Sequence, residues 1–95
     1  MATVKKLTNH PYSQCEVIID NYGTRLVSYG WYTAVGVDTE GWLSARDPHY
    51  SATTCKQVGW FLREYFPNVT YQFVKRLYEN GEIYNVLTGE IKKMA

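Results

Sequence analysis

Two pairs of residues in this chain have the types that hold zinc or build a nucleophile. His10 and Cys15 are separated by four residues, and His49 and Cys55 by five. Imidazole and thiolate are the usual donors of tetrahedral zinc, but structural sites draw them from tight knuckles at spacings of about two to four. These pairs fall instead at a strand start and a helix start. Cys55 with His49 also has the make-up of a thiolate and its base, the cysteine lying near a helix N-terminus where its pKa falls. No third group is in place to orient the histidine. Asp38, Glu40 and Asp47 have the types of an acid and base, yet turn and cap roles account for all three. The chain therefore reads as non-enzymatic, with no metal and no cofactor.

Its binding chemistry is richer. Nine Tyr, three Trp and three Phe make up 16% of the chain, more rings than so small a core is expected to hide. In the stretch TTCKQVGWFLREYF, Trp60 stands among Lys56, Arg63 and Glu64. At 100° per residue it points away from the apolar cluster Val58, Leu62, Tyr65 and Phe66. Its cover is then another part of the chain, a second copy, or a partner. Lys56, Trp60 and Arg63, with Tyr71, Lys75 and Arg76 of the following helix, form one mixed basic and aromatic surface if the two helices lie side by side. A second aromatic set, Tyr29, Trp31 and Tyr32, belongs to a strand whose alternation leaves a ring on whichever face the helices do not cover.

The elements that position these residues are marked by local signals. QCEVIID ends at Asp20-Asn21-Tyr22-Gly23, a turn cluster, and TRLVSY returns from it, which predicts a β-hairpin. WYTAVGVDT, rich in aromatic and β-branched residues, adds a third strand. The Asp38 to Gly41 turn leads to a short fourth, Trp42 to Ala45. Beyond Pro48, Ser51, Thr53 and Thr54 offer N-caps, and Thr54 with Gln57 has the capping-box spacing. A helix then runs to about Phe66. Gly59, beside its apolar face, suggests close packing there. After Pro67, Thr70 caps a second helix that ends at Asn80-Gly81. Glu82 to Val86 and Glu90 to Lys93 flank a final turn. The order βββ(β)ααβ(β) predicts an α+β domain: a mostly antiparallel sheet of four to six short strands with two helices on one face. Residues 1–12 and 92–95 are expected to fray.

Ninety-five residues, 45% hydrophobic, make a single domain without room for an interdomain cleft. A formal charge of +1 gives no chain-wide field for nucleic acid or membranes. Arg25 is the only lysine or arginine between Lys6 and Arg46, so the single-stranded nucleic-acid reading, bases stacked on Tyr29, Trp31 or Tyr32, lacks its basic groove. The start MATVKKLTNHPYS has no apolar signal segment and no run is long enough to span a bilayer, so a cytoplasmic location is expected. There the sequon Asn68-Val69-Thr70 reads as a loop and a helix cap, and Cys15 and Cys55 as reduced.

CEVIIDNYGTRLVSYG, the EGWL turn, the YSATTCKQVGWFLREY helix and the closing YNVLTGE together resemble a small domain of unknown function found in phages and mobile elements of Gram-positive bacteria, the Firmicutes. The resemblance covers Leu7 to Ile91 and brings no catalytic residues with it. It implies an accessory factor that contacts a host protein, including inhibitors of CRISPR-Cas and other defence nuclease complexes. The expected function is a protein-binding module of this kind, with a second copy of the chain, as a homodimer, among its candidate partners, using Trp60 and the helix surface or the exposed aromatic strand; the alternative is the single-stranded nucleic-acid binder.

Overall fold

The computed structural model describes residues 2–30, 32–46 and 52–94. It is an α+β fold in which seven strands form one antiparallel sheet in sequence order, a meander interrupted once by two helices. The strands are β1 (Thr3–Lys5), β2 (Cys15–Asp20), β3 (Gly23–Ser28), β4 (Tyr32–Asp38), β5 (Trp42–Ala45), β6 (Glu82–Asn85) and β7 (Ile91–Lys93). Helix α1 (Ala52–Tyr65) packs over β3 and β4, and α2 (Tyr71–Asn80) over β5 and β6.

Turn chemistry sets the hairpins as the sequence predicts. The Asp20 carboxylate accepts the Tyr22 N–H at 2.8 Å and the Arg25 guanidinium at 2.8 Å. Asp20 pairs directly with Gly23, whose φ of 126° is one that L side chains rarely adopt. A Cβ there would collide with the Val37 carbonyl oxygen. Asp38 Oδ1 closes the next turn by accepting from the N–H groups of Glu40 and Trp42 at 2.9 and 3.0 Å. Thr70 caps α2 through its hydroxyl, which accepts the Phe73 N–H at 3.1 Å, and Gly81 ends it in the left-handed conformation.

Four expectations are corrected. Residues 1–12 do not simply fray: β1 pairs with β2, and Leu7 is buried in the core. At the other end Lys92 and Lys93 belong to β7, and the Met94 N–H reaches the Gly81 carbonyl at 2.9 Å. Thr54 is not the cap of α1, because the helix already begins at Ala52; its side chain and that of Gln57 are buried against Ser28. Gly59 is not a close-packing site, since a Cβ there would find no neighbouring atom within 4 Å.

The core lies between the helices and one sheet face. Directly paired residues share a face, so Val17, Leu26 and Val35 form one inward row. Phe61, Leu62, Val58, Val74 and Leu77 of the helices close over it. Ala34 is an extra residue in β4, a bulge opposite Leu26 and Val27. It shifts the alternation, so that Tyr32 and Ala34 on one side of the bulge and Val35 and Val37 on the other are all buried.

Candidate functional site

Trp60 is covered by its own chain. The His10 ring lies on the indole, with centroids 3.7 Å apart and planes 11° from parallel. Thr8, two residues earlier, donates its N–H and its hydroxyl to the two carboxylate oxygens of Glu64 at 2.8 and 2.9 Å. Trp60 is half-buried and also packs against the core cluster.

The helix surface expected to be one patch is divided. Tyr71 donates its hydroxyl to Cys55 Sγ at 3.2 Å, which places Tyr71 on the side of α1 that faces α2. Cys55 and Trp60 are five residues apart, roughly 140° around a helix, so Trp60 belongs to the opposite side. Lys56 and Arg63 are exposed on the ridge between. In α2 the same five-residue step turns Arg76, which is exposed, away from Tyr71, while Lys75 stays half-buried nearer the seam.

The aromatic strand set is likewise dispersed. Tyr32 is 9% exposed and belongs to the core; the bulge at Ala34 is the reason. Tyr29 sits outside the strands with a φ of 56°, in the turn after β3, its N–H donated to the Gln14 carbonyl at 2.8 Å. Trp31 lies outside the described residues. So do His49 and Asp47, and with them the Cys55 and His49 pairing. Cys15 is buried, 3.2 Å from the Ser13 hydroxyl, and burial pushes its thiol pKa up. Among the described residues, no three or more His, Cys, Asp or Glu side chains are grouped to hold a metal ion, and no helix is long and apolar enough to cross a membrane.

The sheet face opposite the helices carries an aromatic that sequence reasoning did not single out. Leu43 is fully buried, so its neighbour Trp42 points to the other face. There Trp42 lines a groove of about 530 Å³, together with Tyr22, Arg25, Ser44, Arg46 and Ile83. Lys92 of β7 holds its ammonium 4.1 Å from the Trp42 ring centroid, a cation–π contact that steadies the ring on one side. The charges around the groove are unequally free. Arg25 is paired with Asp20, and the Asp38 carboxylate accepts backbone N–H groups, whereas Arg46 is exposed. The signal for this site was in the sequence: Trp42 and Leu43 are adjacent apolar residues in a strand, so only one of them can face a single buried side. The chain matches no known family, no curated protein and no solved structure.

Proposed function

We propose that this chain is a non-enzymatic protein-binding module whose partner docks on the open face of the sheet, around Trp42. The observation that carries the reading is the groove beside Trp42, on the side of the sheet away from both helices. Trp, Tyr and Arg are the types that dominate binding hot spots, and a ring already held in place loses little freedom on docking. The cations of this face, the exposed Arg46 and the Lys92 beside the Trp42 ring, favour a partner surface with apolar centre and acidic rim. In the setting that the resemblance implies, that partner is a host protein, such as a component of a defence nuclease complex, and the chain inhibits it by contact in the host cytoplasm.

Trp42→Ala and Arg46→Glu test this reading. Each variant is compared with wild type in capture of partners from host lysate, after circular dichroism confirms the fold. Loss of the same captured protein in both variants supports the sheet face; retention in both removes it. Labelled single-stranded oligonucleotides, titrated at low and moderate salt, test the nucleic-acid alternative, which requires affinity that falls as salt rises. Sedimentation at several concentrations tests a second copy as the occupant.

A further inference from the structure

The link between β1 and β2, residues 6–14, is a strap anchored in the core by Leu7 and held together by its own hydrogen bonds. Within it, the His10 N–H donates to the Leu7 carbonyl at 3.1 Å, and the Ser13 N–H and hydroxyl both reach the His10 carbonyl at 3.2 and 2.7 Å. Lys6 Nζ ties its root by donating to the carbonyls of Ser13 and Cys15, each at 3.3 Å. Its polar and ring contacts with α1 fall on Trp60 and Glu64, one helical turn apart. A cavity of about 250 Å³ beside these contacts is lined by Thr8, Asn9, His10, Trp60, Arg63 and Glu64.

We infer that Trp60 and Glu64 form a receptor for an arginine side chain of a partner polypeptide, which the strap occupies in cis. An indole plane beside a carboxylate suits a guanidinium, which stacks on the ring through its flat face and forks two N–H donors to the oxygens. The strap reproduces both halves with separate residues: the His10 ring supplies the plane, and the Thr8 N–H and hydroxyl supply the two donors. A lysine cannot match this, because its ammonium is a compact point charge with no plane. Arg63 borders the same cavity and sets an opposing charge there, so the receptor discriminates by shape and hydrogen bonding more than by net field. This inference is independent of the sheet face around Trp42.

The test is an NMR titration with the capped tripeptide Gly-Arg-Gly and its Gly-Lys-Gly counterpart. The targets are wild type, a Thr8→Val/His10→Ala variant that weakens the strap, and the same variant carrying Glu64→Gln. Losing the stack and one of the two hydrogen bonds should speed exchange of the Thr8 amide and tighten arginine binding, each by about tenfold. Glu64→Gln should abolish that gain, and Arg63→Ala should tighten binding further. Equal binding of the arginine and lysine peptides, or arginine binding unchanged by Glu64→Gln, overturns the assignment. Should the double variant fail to fold, wild type decides: the arginine peptide must displace the strap and shift the Thr8 amide resonance, and no shift at saturating peptide overturns it.

Discussion

Replacing Gly59 by alanine should stabilise this domain by about 1 kcal/mol. Gly59 lies in the interior of α1, well away from either end, where glycine is about 0.8–1.0 kcal/mol less favourable than alanine because it loses more backbone freedom on folding. Two structural facts allow the full difference to be realised. A Cβ at position 59 meets no neighbouring heavy atom within 4 Å, and the backbone there is ordinary helix. In a domain of this size, 1 kcal/mol corresponds to a rise in Tm of about 4–8 °C. Thermal and urea unfolding followed by far-ultraviolet circular dichroism would measure it, with an unchanged urea slope showing that the surface exposed on unfolding is the same. Gly23→Ala serves as the opposite control. Its φ of 126° and the Val37 carbonyl beside it should make that change destabilising, by about 1–3 kcal/mol from the backbone conformation alone. An unchanged or lowered Tm for Gly59→Ala would refute the reasoning, by showing that the α2 side of α1 is occupied or bent where the structure leaves it open.

Asn85→Ala should cost about 1–3 kcal/mol in urea unfolding, because this buried side chain accepts from the N–H groups of Leu87 and Thr88 and donates to the Glu40 carbonyl, joining two turns. Asp20 is held below the usual carboxylate pKa, chiefly by the Tyr22 N–H and then by Arg25. Its contribution is therefore present above about pH 4 and lost as pH falls through the lowered native value. The stability difference between wild type and Asp20→Asn should accordingly shrink on acidification, and a difference that grows would contradict this. Cys15 is pushed up by burial, partly offset by the Ser13 hydrogen bond, so its thiol should react with an alkylating reagent only as fast as the protein opens, with labelling accelerated by sub-denaturing urea. For the same reason its contribution to stability is present below the ordinary thiol range and is lost as pH rises through the native value. Tyr65, also raised by burial, adds to this alkaline loss.

Local chemistry made much of the fold legible. Asp20 and Gly23 close a hairpin by hydrogen bonds and backbone freedom that involve only neighbouring residues, and Thr70 and Gly81 bound α2 in the same way. The spacing of Val58 and Leu62 likewise marks the buried side of α1 without reference to what it packs on. The functional surfaces depend on contacts the chain makes across large separations. Thr8 meets Glu64 from 56 residues away, so a segment with no strong strand signal becomes the cover of Trp60. One bulged residue, Ala34, buries Tyr32, which simple alternation could not determine. The hairpin turns, the caps of α2 and the two-helix α+β plan thus follow from the sequence by itself, because their energies are set within a few residues. Which rings face outward was decided only by tertiary structure, because register and cover are set by partners far along the chain.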